Sequence, residues 1–213
     1  MKKALAIILA LVLVLGLTAC GSSGSSGGGK TEETADTVKL GVCLIQSGDF
    51  AFALDYQKPA IDMVINMYNE AGGINGKKIE LVSYDEEGDA TKAVTGYNSV
   101  MDQGVVAIIG SVTTAPTIAV VAESFADNTP MITASATAIP VTFNEETNQV
   151  YTNMFRSCFI DSFQGVTMAR FAKNVLAADT AAVLYDNGDT YSTGVYDYFV
   201  NECAAQGIEV ATT

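Results

Sequence analysis

Short apolar runs alternate with segments of helical period from Lys39 to the end of the chain, and this alternation leaves few folds open. Lys39-Leu40-Gly41-Val42-Cys43-Leu44-Ile45 is apolar enough to be a strand buried on both faces. Pro59 suits a first helical position, with Ile61, Val64, Ile65 and Tyr68 following at helical spacing. Gly72-Gly73 ends that helix, and Asn75-Gly76 turns the chain into a strand over Ile79–Tyr84. Asp89 caps a second helix whose apolar stripe is Ala93, Val94, Tyr97, Val100 and Met101. Gly104 stops it before a strand over Val105–Ile109. A third helix carries Ile118, Val121, Ala122 and Phe125, and a strand over Met131–Ala134 follows. The polar stretch Thr142–Gln149 interrupts the rhythm and reads as a surface loop, with an extended segment from Tyr151 to Cys158. Asp161-Ser162-Phe163-Gln164 has the form of a capping box, opening a helix with Met168, Ala169, Ala172, Val175 and Leu176. A strand over Ala181–Asp186, a helix over Ser192–Gln206 and the start of a strand at Ile208 complete the pattern. Such an order predicts an α/β fold: a doubly wound parallel sheet with helices on both faces. The chain stops with a strand just begun, which predicts a truncated fold.

The first residues have a different character. Met1-Lys2-Lys3 precedes an unbroken apolar run from Ala4 to Gly16, too short for a stable membrane span and suited to the core of a secretory signal. Leu17-Thr18-Ala19-Cys20 then resembles the lipobox of bacterial lipoproteins. The resemblance implies cleavage of residues 1–19 and a diacylglycerol on the Cys20 sulfur, with two acyl chains giving stable anchoring. The plainer alternative is a secretory signal followed by an ordinary cysteine. From Gly21 to Gly29 the chain is all Gly and Ser, so residues 20–36 read as a flexible tether.

The formal charge is −13, and −15 once Lys2 and Lys3 leave with the signal. An acidic body repels phosphate backbones, so nucleic acid is not an expected partner. Histidine is absent, which excludes histidine triads and histidine metal sites. Beyond Cys20 the cysteines are Cys43, Cys158 and Cys203, an odd number with no Cys-x-x-Cys pair. Cys43 reads as a small buried hydrophobe, and a single disulfide among the three stays open.

Doubly wound sheets bind ligands beyond the carboxyl ends of their strands. After the first strand, Gln46 to Ala53 carries neither Gly-x-Gly-x-x-Gly nor a phosphate loop, so no nucleotide and no other cofactor is implied. After the third strand, Thr113 or Thr114 can cap a helix with Pro116 near its start. The free N–H groups of a helix N-terminus suit a carboxylate, although plain capping also accounts for both threonines. After the fourth strand, Ser135-Ala136-Thr137 combines small residues with hydroxyls that both donate and accept, or forms a simple polar turn.

These residues bring a family into view. The chain resembles the type 1 solute-binding proteins of ABC transporters, nearest to the branched-chain amino-acid (Leu/Ile/Val) group. The matching pieces run in order through the body: Val42 to Asp49, Asn69 to Lys78, Tyr84-Asp85 with Asp89 to Ala93, Ile109-Gly110-Ser111, Pro130 to Thr137, Phe155-Arg156 with Asp161 and Gln164-Gly165, and Tyr185-Asp186-Asn187 with Tyr191 and Gly194. The resemblance implies two hinged lobes closing on an amino acid, here a first lobe over 37–156 and part of a second over 157–213. It implies that Thr113, Thr114 and the following amides, with Thr137 and the backbone of Ser135 and Ala136, hold the α-carboxylate and α-ammonium. Tyr191 would press on the ligand from the second lobe, or be a plain loop aromatic. It also implies delivery to a membrane permease, with Cys20 tethering the protein to the cell membrane. Two departures stand out. The family's frequent tyrosine after the first strand falls on Ala53, with Phe52 beside it, and the acid that commonly meets the ligand ammonium has no copy up to Thr213. A sensor reporting to a receptor uses the same body. An enzyme on such a sheet needs a nucleophile with its base, a metal cluster or a cofactor loop, and the sequence displays none.

Overall fold

The computed structural model describes residues 37–211; the leader, the tether and Cys20 lie outside the described residues. Five parallel strands form the large sheet in the order β2-β1-β3-β4-β7. They are β1 (Thr37–Leu44), β2 (Lys78–Asp85), β3 (Ala107–Ile109), β4 (Met131–Thr133) and β7 (Met154–Arg156). β1 pairs with β2 from Thr37↔Lys78 to Leu44↔Asp85 and with β3 from Leu40↔Ala107 to Val42↔Ile109. The strand order reverses at β1, so the loops after β1 and β3 diverge and leave a crevice between them.

Helices α1 (Leu54–Glu70), α2 (Ala90–Met101) and α3 (Thr114–Ala126) connect these strands. Right-handed crossovers put α1 on one face and α2 with α3 on the other. Two buried clusters follow that division. Cys43, Val82, Tyr97, Val100, Ile108, Val121, Met131 and Met154 pack on the α2–α3 face. Val42, Leu44 and Ile45 pack with Val112 and the half-buried Leu54 and Ile61 of the α1 side. Alternate residues of β1 thus serve opposite faces, which is why the segment reads as a continuous apolar run.

A second pair of parallel strands, β8 (Thr180–Ala182) and β9 (Glu209–Ala211), is flanked by α4 (Asp161–Asn174) and α5 (Thr190–Gln206). Its buried cluster consists of Ala169, Cys203 and Ile208. α5 opens on Asp189, whose carboxylate accepts the Ser192 N–H at 2.8 Å, and closes on the left-handed Gly207.

Several expectations hold in detail. Asp89 caps α2 by accepting from the Lys92 N–H at 2.8 Å. Asn75 and Gly76 both take positive φ in a turn closed by reciprocal Ile74 and Lys77 backbone bonds. Cys43 is fully buried, and that burial pushes its thiol up to about 12; Cys43, Cys158 and Cys203 are all free.

Others are corrected. Pro59 lies inside α1 because a 3-10 turn at Ala51–Ala53 starts the winding earlier, so the helix forgoes one interior N–H bond. The stretch 142–149 is no plain loop: β5 (Phe143–Asn144) pairs antiparallel with β6 (Gln149–Val150). The Asn144 side chain accepts the Glu146 and Thr147 N–H groups at 3.0 Å and closes that hairpin. Asp161 is the first residue of α4 rather than its cap; Ile160 holds the cap position and no side chain bonds there. In α3 the buried face uses Thr117, Val120, Val121 and Ser124, while Ala122 is exposed. The hydroxyls tolerate burial because each bonds to its own helix, Thr117 to the Thr113 carbonyl at 2.7 Å and Ser124 to that of Val121 at 3.1 Å. Val64 and Tyr68 of α1, and Met168, Val175 and Leu176, are exposed rather than inward.

Candidate ligand-binding cleft

Three loops at the carboxyl ends of the large sheet are tied together by short polar bonds. Gly110, with φ at 121°, sits where any β-carbon would collide with the Cys43 carbonyl, so the loop after β3 can lie against β1. The Thr133 hydroxyl donates to the Ser111 carbonyl at 2.7 Å and accepts the Ala136 N–H at 3.2 Å. Ser135 Oγ donates to the Val112 carbonyl at 2.5 Å. The loops after β3 and β4 are therefore bonded to each other.

The β3 loop ends at Thr113, the residue preceding α3. Its backbone is extended, but its side chain makes no capping bond. Thr113 Oγ1 is buried without a partner. Thr114 is the first residue of the helix and is 2 % exposed. Pro116 has no N–H, so the free amides of the first turn are those of Thr114 and Ala115. The helix thus presents an unmet hydroxyl and two unmet donors at its positive end.

A cleft of about 290 Å³ opens onto this end, lined by Phe50, Phe52, Ala53, Gln57, Val112, Thr113, Thr114, Ser135, Asp189 and Tyr191. Five of the residues singled out from sequence meet there: Phe52, Thr113, Thr114, Ser135 and Tyr191. Phe52 is 62 % exposed, and its ring lies 6.2 Å from that of Phe50, so the two form an open apolar wall. Tyr191 comes from α5, and its hydroxyl is held by Gln164 of α4, with Nε2 at 2.8 Å. Gln164 therefore orients a cleft residue, a role that the capping pattern concealed.

Ala136 and Thr137 do not line this cleft. Ala136 is fully buried, and its carbonyl accepts from Arg156 Nη1 at 3.3 Å. The Thr137 carbonyl accepts the Asp161 N–H at 3.2 Å, and its hydroxyl is buried without a partner. Thr137 faces Asp161 instead, where burial raises the carboxyl above the ordinary carboxylate range, against the pull of Thr137 and Arg156. A β-carbon on Gly194 would stand 2.7 Å from Asp161 Oδ2, so α5 can approach Asp161 only with glycine there.

Phe50, Gln57, Val112 and Asp189 were not anticipated. Among the described residues, Asp189 is the one Asp, Glu, Lys or Arg that lines the cleft, and its Oδ2 is already bonded to the Ser192 N–H. Among the described residues no group of three or more Cys, Asp or Glu is placed to hold a metal ion.

A doubly wound sheet with its cleft at the strand-order reversal, and a helix-borne aromatic at one side of it, is the arrangement in which such sheets hold ligands. The family model described as "Periplasmic binding protein" matches residues 37–213. The chain belongs to the periplasmic binding protein family. Its family places it outside the cytoplasm. Over 177 residues it is 32 % identical to the leucine-, isoleucine-, valine-, threonine- and alanine-binding protein of Pseudomonas aeruginosa, covering 83 % of this chain and 46 % of that one. The isoleucine complex of a branched-chain amino acid transporter substrate-binding protein from Streptococcus pneumoniae superimposes with a TM-score of 0.73 at 28 % identity, over 83 % of this chain and 48 % of that chain. A chemotactic signal transduction system substrate-binding protein of Halobacterium salinarum is 34 % identical over 139 residues, 63 % of this chain and 33 % of that one. The chain spans about half the length of the curated relatives it matches.

Proposed function

We propose that this periplasmic binding protein is an extracytoplasmic solute-binding lipoprotein of an ABC importer, and that its cleft takes an amino acid of branched-chain type or a similar small zwitterion. The observation that carries this reading is the unmet Thr113 hydroxyl beside the free amides of Thr114 and Ala115 in a cleft with one apolar wall. A carboxylate docks on the amides and the hydroxyl. An ammonium turns toward Asp189, whose second oxygen is not engaged by the Ser192 N–H. An apolar side chain lies against Phe50, Phe52 and Val112. In this reading residues 37–156 form the first lobe and 157–213 belong to a second, which brings Tyr191 onto the ligand. Closure is a population shift toward the state in which both lobes touch the solute. The closed form docks on a permease, and a lipid on Cys20 keeps the protein at the membrane.

The relatives' binding of leucine, isoleucine, valine, threonine and alanine supplies the panel for titration calorimetry. Thr113→Ala weakens binding by about 1–3 kcal/mol, the cost of leaving a buried ligand charge short of a donor. Unchanged affinity removes Thr113 from the site. Mass spectrometry of membrane-bound protein finds Cys20 as a diacylglyceryl-modified N-terminus, and Cys20→Ala releases the protein. The resemblance to the chemotactic substrate-binding protein favours one second reading, the same cleft reporting to a receptor. Uptake of labelled amino acid that survives deletion of this protein, with loss of a taxis response, selects it.

A further inference from the structure

The carboxyl end of β2 leads into two adjacent acids that serve different loops. Asp85 Oδ1 accepts the Gln46 N–H at 2.8 Å and the Glu87 N–H at 3.1 Å, and Oδ2 accepts the Ser47 hydroxyl at 2.7 Å. The Gln46 and Glu87 N–H groups can only donate, and the ionised carboxylate accepts all three bonds at a partly exposed position, so the anion fits. Burial pushes this carboxyl up, but the Ser47, Gln46 and Glu87 donors outweigh it and hold it below the ordinary range.

Glu86 is the opposite case. It is fully buried, and its Oε1 accepts the Val112 N–H at 3.1 Å. Oε2 has no partner, and the neighbouring Ser111 hydroxyl is buried and also lacks one. The groups that act on Glu86 are the Ser111 hydroxyl, the Val112 N–H and Asp85, with the Cys43 thiol close by, and none is a cation. An unpaired buried carboxylate is costly. A protonated Oε2 removes the charge and gives Ser111 Oγ a donor. Burial raises this carboxyl, in the same sense.

We propose that Asp85 and Glu86 form a two-way positioning clamp in opposite protonation states. Asp85, an anion, fixes the β1–α1 loop that carries Phe50 and Phe52. Glu86, a neutral acid, fixes the β3–α3 loop that carries Thr113 and Thr114. The clamp sets the spacing between the apolar wall and the donor end of the cleft. Its importance for binding rests on the function proposed above, but its existence is tested without any ligand.

The test is amide hydrogen exchange on the full chain, comparing D85N, D85A, E86Q and E86A. In E86Q the amide oxygen still accepts from Val112 and the amide nitrogen donates to Ser111, so Val112 protection stays within about twofold, whereas E86A lowers it about tenfold. D85A removes the acceptor, and Gln46 and Glu87 lose protection about tenfold while Val112 does not; in D85N the amide oxygen keeps both N–H groups and the amide nitrogen donates to the Ser47 hydroxyl oxygen, so both stay within about twofold. The Met131 N–H, bonded to the Asn153 carbonyl at 2.9 Å within the large sheet, reports general unfolding. If an alanine variant also loses Met131 protection, D85N and E86Q decide, each read against the unsubstituted chain. Infrared spectra at neutral pH show a protonated-carboxyl stretch that E86Q abolishes. The proposal is overturned if E86Q opens Val112 as far as E86A, if D85N opens Gln46 and Glu87 as far as D85A, if both loops respond alike in the two alanine variants, or if the infrared band is absent.

Discussion

The two sheet regions are built from the same strand and helix types but differ in how they are covered. In the five-stranded region both clusters bury long side chains, and Tyr97, Ile45, Ile108 and Met131 are sealed from solvent. In the β8–β9 region the buried cluster is Ala169, Cys203 and Ile208, while Phe163, Phe171, Val175 and Leu176 are more than half exposed and Leu184 is fully so. Apolar burial contributes about 25 cal/mol per Å², so the first region supplies most of the stability. The second supplies a wall of the cleft through Asp189 and Tyr191.

The largest test of this contrast is Tyr97→Ala. Tyr97 is fully buried, and its hydroxyl donates to Asp127 Oδ2 at 3.0 Å. Removing the ring costs about 3–5 kcal/mol of unfolding free energy in urea titration. The matched change in the other region, Leu184→Ala, stays within about 0.5 kcal/mol because the side chain covers nothing. Equal effects from the two would erase the distinction.

A middle-sized effect probes what does hold the second region together. α4 and α5 pack closely where Gly165 faces the other helix; a β-carbon there would stand 2.7 Å from both Tyr198 Cβ and the Val195 carbonyl. Gly165→Ala pries the helices apart and costs about 1–3 kcal/mol. The loss appears as faster amide exchange in α4, α5 and β9 with β1 and β3 unchanged. Exchange that rises equally in β1 means that the two regions unfold as a unit.

The sequence shows one of these regions better than the other, for a physical reason. β1, α2 and the Asn75-Gly76 turn were legible because burial on two faces, capping by Asp89 and positive φ each select residue types. The α3 face was misread because Thr117 and Ser124 bury hydroxyls that their own helix satisfies, so polarity did not mark the exposed side. The first part of α4 was misread for the reverse reason. Asp161 and Gln164 have capping spacing, yet Asp161 turns inward toward Thr137 and Gln164 reaches Tyr191. Thr113, Thr114 and Ser135 were legible as strand-end residues, and the structure brings them to one cleft. Glu86 was not, because it shares its type with Glu87 and Asp89 and only the packing above it makes it buried.

The smallest effect probes the contact that the weaker region is proposed to make with the ligand. Tyr191 is 37 % exposed and is oriented by a bond between its hydroxyl and Gln164. Tyr191→Phe keeps the ring and removes that bond. Because the pair is open to water, folding stability changes by no more than about 0.5 kcal/mol. Affinity for the amino acid falls by about 0.5–1.5 kcal/mol, as the freed ring must be ordered anew on closure. Gln164→Ala gives the same loss, and the double variant adds nothing further, since both changes break one contact. Additive losses would show that the phenol meets the ligand directly and that Gln164 acts elsewhere, leaving the wall positioned by α5 alone.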